Sequence, residues 1–441
     1  MLSPLADRTY RHLFGAQILS LIGTGLMTVA LGLLAFDLAG ADAGAVLGTA
    51  LAIKMVAYVG IAPVAGAFVH LVPRRALLVA LDLLRAAVAL ALPFVTEIWQ
   101  VYLLIGLLQA CSAAFTPTFQ ATIPDVLPDE AQYTRALSLS RLAYDMEALT
   151  SPMLAAALLS VIGFHWLFAG TTLGFIASAA LVVSVLLLSP KPPSTQESAW
   201  GRTTRGARLY LAAPRLRGLL ALNLAVAAAG AMVIVNTVVL IQAGLGLGAG
   251  QLAWTLAAYG FGSMVAALAL PRVLDRVGDR PVMLAGAVIL VAGLLAGPLA
   301  LQHWGLVLAL WALLGLGNGL VLTPSGRLLR RSSDAGDRPA LFAAQFALSH
   351  ACWLLAYPLA GWLGAAAGLA PTFLLLAALA ATGTWLAIRL WPAEAERAAP
   401  HDHHGLPADH PHLNGAQPLP NGGFRHVHAP VADTLHAMRG G

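Results

Sequence analysis

The chain has 441 residues, of which 59% are hydrophobic and 10% charged, and its formal net charge is +5. A soluble globular domain carries about 25% charged residues, so this chain lacks the polar surface to stay in water and reads as a membrane protein. Its apolar runs are continuous Ala/Leu/Val/Gly stretches without strand alternation, which excludes a β-barrel, and its two cysteines, Cys111 and Cys352, lie in those runs and imply no disulfide framework.

Twelve stretches are long enough to cross a ~30 Å hydrocarbon core as helices. In chain order they cover approximately residues 11–36, 44–68, 76–96, 98–121, 137–162, 164–188, 217–242, 251–271, 281–301, 304–326, 340–366 and 371–391. The segment Met1 to Arg11 is short and polar, and no Ala-x-Ala site follows it, so the first span is expected to be retained. Residues 1–190 form a predicted N-terminal six-helix half and 217–391 a C-terminal one. A basic, Pro- and Ser-rich linker, 191–216, separates them, and a tail follows from 392 to 441.

Charge fixes the orientation. Alternate connections hold Arg8 and Arg11, Arg74 and Arg75, Arg135, the stretch Lys191 to Arg217, Arg272 to Arg280, Arg327 to Arg338, and Arg389 with Arg397. The other connections hold no Lys or Arg, only Asp37, Asp42, Glu97, His165 and His303. The positive-inside rule then puts both termini in the cytoplasm. The same rule accounts for the positive net charge, so no nucleic-acid partner is inferred. The expected partner at this point is the lipid bilayer, with no obligate protein partner evident.

Ionisable groups inside spans are costly in hydrocarbon and mark functional candidates. They are Lys54, Asp82, Arg85, Asp145, Glu147 and His350. Asp82 and Arg85 share a helix face at i, i+3, and Arg141 and Asp145 do so at i, i+4, so internal pairing is the structural alternative for both. Glu147 has no partner in its own helix. It is open to pairing with Lys54, to carrying a proton, or to binding a cation. His350 is an intramembrane metal candidate, but Cys352 two residues on projects from another helix face. Asn223, Asn236 and Asn318 line a cavity or bridge helices, and Gly315, Gly317 and Gly319 suggest close helix packing.

The last forty-one residues hold eight of the thirteen histidines: His401, His403, His404, His410, His412, His426, His428 and His436. Imidazole suits Ni, Cu, Zn and Fe better than Mg or Ca. The tail is dense in Pro, Gly, Asn and His and poor in large apolar residues, so it is expected to be disordered. Its histidines are candidate metal ligands, and divalent metal ions are therefore expected partners.

Two loops repeat. Residues 66–75 read GAFVHLVPRR after the second span, and residues 271–280 read PRVLDRVGDR after the eighth. They resemble the Gly-x-Leu-x-Asp-Arg-x-Gly-Arg-Arg signature of the major facilitator superfamily. At closer range the chain resembles the Nre-type nickel and cobalt resistance transporters. PTFQATIPDVLPDE (117–130), TRALSLSRLAYDMEALTSP (134–152), QFALSHACWLLAYPLAGWLG (345–364) and the His-rich tail carry that resemblance. It implies an all-α major facilitator fold of twelve helices, and proton-driven export of Ni²⁺, often Co²⁺, by alternating access in the bacterial inner membrane. The gating loops implied are Gly66, His70, Arg74 and Arg75 with Asp275 and Arg276. His70 stands where the signature has aspartate, and the latch is then expected to rest on Arg74, Arg75 and Asp275.

No resident cofactor and no enzymatic activity are expected. The chain has no Cys-x-x-Cys, no Asp-Lys-Thr-Gly, no phosphate-binding Gly-x-x-x-x-Gly-Lys-Ser/Thr and no nucleophile triad. Two other functions remain open. One is export of drugs or siderophores on the same fold, disfavoured because aromatics are only 7% of the chain and the central spans read as Ala, Gly, Leu and Val. The other is a membrane metal sensor or scaffold.

Overall fold

The computed structural model describes residues 2–39, 43–187, 198–333, 337–393, 399–403, 417–419 and 423–428. The N-terminal half contains α1 (Arg8–Ala39), α2 (Ala43–Phe68), α3 (Arg74–Ala91), α4 (Ile98–Val126), α5 (Glu130–Leu159) and α6 (His165–Val183). Helix α7 (Ala199–Ala212) lies within the linker. The C-terminal half contains α8 (Pro214–Val238), α9 (Ala249–Leu274), α10 (Asp279–Ala300), α11 (Trp304–Arg331), α12 (Arg338–Ala367) and α13 (Leu369–Leu390). Among the described residues, ten helices are long and apolar enough to cross a membrane. The two predicted spans outside that set are α2, which contributes a shorter apolar helix at Ala52–Phe68, and α5. These two carry Lys54, and Arg141, Asp145 and Glu147, in mid-helix.

Local sequence sets the helix ends. Asp129 caps α5 by accepting from the Gln132 amide at 2.8 Å. Glu97 and Gln100 form a reciprocal capping box at the start of α4. Prolines inside α2, α4, α9, α10, α11 and α12 remove backbone donors, which is tolerated where neighbouring helices or side chains satisfy the freed carbonyls.

Burial is inverted relative to a soluble protein. On α3, Asp82 is 0% and Arg85 4% exposed, while Leu83 and Leu84 between them are 49% and 48% exposed. Charge turns inward and leucine outward because lipid is the solvent. Trp99, Trp166, Trp254 and Trp362 are exposed at the arginine-poor ends of their helices, where aromatic rings sit at a membrane interface.

The halves meet through two equivalent seams. Helix α12 packs on α2, and α5 packs on α9. In each seam the second helix of one half meets the fifth helix of the other, a pseudo-twofold arrangement that matches the internal repeat. Ala62, Ala113, Phe346 and Ala347 form a small apolar cluster across the first seam, with Tyr58 against it. Gly315 and Gly319 bring α11 against the α9 backbone, and Gly317 brings it against α10. A Cβ at Gly317 would stand 2.8 Å from the Gly286 carbonyl.

Within the described residues β1 (Ala399–His403), β2 (Gln417–Pro418) and β3 (Phe424–His428) form a sheet in the order β1-β3-β2. His404, His410, His412 and His436 lie outside the described residues.

Candidate transport cavity and its closure

A cavity of about 840 Å³ lies between the halves. It runs from Tyr133 and Leu329 near the arginine-rich face to Leu31 and Gly32 toward the other end of α1. Of the charged candidates, Lys54, Arg85 and Glu147 line it, with Arg141 beside them, and His350 lines it from the C-terminal half. Asp82 and Asp145 stand behind their arginines and are not part of the wall.

Both internal pairs are formed. Arg85 donates to Asp82 Oδ1, and Ser178 donates to Asp82 Oδ2 at 2.8 Å. The Arg85 guanidinium lies 4.0 Å from the Phe115 ring centre and 4.5 Å from that of Phe175, a cation–π clamp that holds the charge at the wall. Arg141 pairs with Asp145 at 2.9 Å. Its Nε also donates to Ser263 Oγ on α9 at 2.8 Å, which ties α5 to the other half.

Glu147 forms no ion pair within 4 Å among the described residues. It sits where α1 and α5 cross. A Cβ on Gly25 would strike both Ser151 and the Glu147 carboxylate, so glycine is what lets α1 approach. Lys54 lies over Tyr58, with Nζ 5.5 Å from the ring centre. Tyr58 meets the His350 ring edge-on at 4.7 Å, and Phe346 lies 4.2 Å from that ring on its own helix. His350 Nδ1 is 2.7 Å from the Phe346 carbonyl. A carbonyl only accepts, so Nδ1 carries the hydrogen, and Nε2 keeps the lone pair in the neutral ring.

Cys352 is absent from the wall and packs against the C-terminal core, so the structure does not bring it to His350. Cys111 is buried in the N-terminal core. Asn223 lines the cavity, and Asn236 bridges helices by donating to the Ala360 carbonyl at 3.1 Å. Among the described residues no group of three His, Cys, Asp or Glu side chains is gathered to hold a metal ion. The expectation of an aromatic-poor cavity is corrected: Tyr58, Phe115, Phe119, Tyr133, Tyr144 and Phe346 all line it. The 7% average conceals this because the rings concentrate on the inner faces of a few helices.

Ion pairs close the arginine-rich side. Asp125 at the end of α4 accepts from Arg74 at 2.8 Å and from Arg338 of the other half. Glu130 pairs with Arg327 at 2.9 Å and with Arg331, and Asp279 accepts from Arg331 at 2.8 Å. Arg330 donates to the Pro128 carbonyl. Arg74 belongs to this closure, whereas Arg75 donates within its own half to the Val185 carbonyl, and among the described residues neither Asp275 nor Arg276 enters an ion pair across the halves. Gly66 seats α2 on α12, where a Cβ would stand 3.3 Å from the Pro339 carbonyl. His70 lies in a single 3-10 turn, Val69–Leu71, and its side chain lies outside the described residues. Sequence reasoning missed Asp125 and Glu130. The available signal was that they end two spans on the side where the arginines gather.

In the tail, β1 and β3 pair antiparallel, with Ala399 opposite His428, His401 opposite His426 and His403 opposite Phe424. Directly opposed residues share a face of a sheet, and so do residues two apart. His401, His403, His426 and His428 are therefore placed on one face.

Two pseudo-symmetric six-helix halves around a central cavity, closed at one end by charge pairs, define a secondary transporter of alternating-access type. The family model of the Major Facilitator Superfamily matches residues 13–237 and 219–433, and the chain belongs to that superfamily. It is a multi-pass membrane transporter. No curated protein matches it in sequence. Among solved structures it is similar to the human organic anion transporter MFSD10 (TETRAN), at TM-score 0.75 and 14% identity, covering 86% of this chain and 99% of that one. It is also similar to a bacterial homologue of the iron transporter ferroportin in an outward-facing state, at TM-score 0.73 and 14% identity over 87% of this chain and 98% of that one. FucP, in an outward conformation, matches at TM-score 0.66 and 16% identity over 86% and 98%. Likeness at this identity establishes the fold alone.

Proposed function

We propose that this transporter exports nickel, with cobalt as a second substrate, from the bacterial cytoplasm in exchange for protons. The observation that carries the reading is that Glu147 and His350 line one cavity from opposite halves. They come from the two membrane segments, 134–152 and 345–364, that bear the resemblance to nickel and cobalt resistance transporters. A carboxylate without an ion-pair partner can be neutralised by a proton or by a metal cation, and an imidazole Nε2 is a fitting ligand for nickel. Alternation between the halves then exchanges one cation for the other. The tail histidines are proposed to gather metal on the cytoplasmic side. The inner membrane is the proposed location.

A second reading is export of an organic solute. The cavity volume falls within the range of about 300–1,000 Å³ of small-molecule sites, and its wall is aromatic and carries Lys54, Arg85 and Arg141. One structural neighbour is described as an organic anion transporter and another as a homologue of an iron transporter. The discriminating experiment expresses the chain in a metal-sensitive bacterial strain challenged with Ni²⁺, Co²⁺, Zn²⁺ and a panel of dyes. Nickel tolerance with lowered cell nickel is expected. Protection from dyes without any change in nickel content would establish the second reading.

A further inference from the structure

Lysine is rare in this chain: twenty-three arginines stand against Lys54 and Lys191. The one charged side chain in the middle of α2 is nevertheless a lysine. Arginine keeps its proton under all physiological conditions, whereas a lysine ammonium in a poorly solvated site can release one. The choice of residue therefore bears on chemistry.

The cavity charges can be paired off. Arg85 is balanced by Asp82 and Arg141 by Asp145. Glu147 and Lys54 remain, both on the cavity wall and without an ion pair to each other among the described residues. The titratable or charged groups facing this space are Arg85 from α3, Tyr133, Arg141, Tyr144 and Glu147 from α5, Tyr58 from α2 itself, and His350 from α12. The described wall residues of α1, α4 and α11 carry no charge.

We infer that Lys54 is a built-in counter-cation that holds the metal's place in the empty cavity and carries a coupling proton. The inference rests on the proposed metal export. With the cavity empty, the Lys54 ammonium neutralises Glu147. A divalent ion at Glu147 and His350 would face that ammonium across a small cavity, and the repulsion is relieved when an N–H bond of the ammonium breaks. Its proton passes to cavity water, the nitrogen keeps the electron pair, and a neutral amine remains. In the inward-open state that proton leaves to the cytoplasm. After the metal departs outward, the amine takes a proton from outside, and one proton has entered for each ion expelled. The Tyr58 ring beneath Nζ accommodates both forms, because its face attracts a cation and also packs against a neutral amine.

The test uses the full chain in proteoliposomes with Ni²⁺ and a pH-sensitive dye inside. Wild type is expected to move protons against nickel. Lys54→Met keeps the stem and loses the charge. It should still exchange Ni²⁺ for Ni²⁺, while a pH gradient no longer drives accumulation and at least one proton per ion disappears from the counter-movement. Lys54→Arg keeps a permanent charge and should weaken Ni²⁺ binding by about tenfold and block exchange. Gradient-driven accumulation by Lys54→Met equal to wild type, or unimpaired exchange by Lys54→Arg, would overturn the role of Lys54 and leave metal export standing. A wild type that moves no nickel would overturn the export reading itself. If Lys54→Met fails to insert, the arginine variant decides alone.

Discussion

Tyr210 in the linker helix donates its hydroxyl hydrogen to Oε1 of Gln345, a residue of the cavity wall. An element between the two six-helix halves thus orients a polar group on the cavity wall. Helix α7 is fastened at a second point by Arg205, which pairs with Asp337 at 2.8 Å. Tyr210→Phe should cost about 1–2 kcal/mol, because it leaves the Gln345 carbonyl buried without its donor. A thermal-shift assay in detergent reads the stability loss. A transport assay should show reduced flux in the same variant, whereas unchanged values in both would detach the linker from the site.

Asp125 joins the halves, and its removal should loosen the closed side. Asp125→Asn keeps the shape and loses the charge that Arg74 and Arg338 share. The loss of charge-assisted bonds is worth about 1.5–3 kcal/mol, enough to shift a two-state population by one to two orders of magnitude. A cysteine introduced at Ser325, on the cavity wall near this closure, reports the change. Thiol labelling from the cytoplasmic side of everted vesicles should rise in the Asp125→Asn background. Equal labelling would refute the closure.

Gly25 and Gly32 form a matched pair on α1. Gly25→Ala should lower transport severely, because its Cβ collides with Ser151 and Glu147. Gly32→Ala should be silent, because nothing lies within 4 Å of its Cβ position. Transport normalised to membrane protein level separates the two, and comparable effects would remove Glu147 from the helix crossing.

Glu147→Gln and Asp82→Asn should fail differently. The amide at 147 keeps the side chain's size and loses its titration, so coupled export should vanish at a normal protein level. The amide at 82 leaves Arg85 in an apolar clamp without its compensating charge, so membrane protein level should fall, at a cost of about 3–5 kcal/mol. Immunoblots and flux measured on the same membranes check both.

Truncation after Pro392 should lower nickel resistance partially and leave some transport, because the proposed role of the tail is to gather ions, not to conduct them. Metal binding by the tail needs neutral imidazole. Protonation below the reference histidine pKa of about 6.5 removes the lone pair, so binding is present above that pH and fades below it. Calorimetric titration of the full chain against the truncated one at two pH values reads this directly.

Most of the helices, the two halves and the Asp82–Arg85 and Arg141–Asp145 pairs were legible because apolar length and helical spacing are properties of one segment at a time, whereas the charged α2 and α5 fall short by apolar length. The presence of Glu147 and His350 at a common cavity was readable only as separate candidates, since each lies in a different half. The closure was harder. Asp125 meets Arg338, and Glu130 meets Arg327 and Arg331, across about two hundred residues of sequence, and nothing local in PDVLPDE distinguishes a latch from a solvated helix end. The aromatic wall escaped for a related reason: Phe115 and Phe119 sit one turn apart on α4, a spacing equally typical of lipid-facing helix surface.

The pairing of β1 with β3 turns a compositional bias into a question of parity. Histidines at 401, 403, 426 and 428 share a face only while His401 stands opposite His426. A slip of one residue would send the β3 pair to the opposite face and leave two histidines on each side. A bound ion that engaged all four would be incompatible with the slipped alignment, so metal itself would select the register. The tail would then respond to metal cooperatively: ions favour one strand alignment, and that alignment favours further chelation.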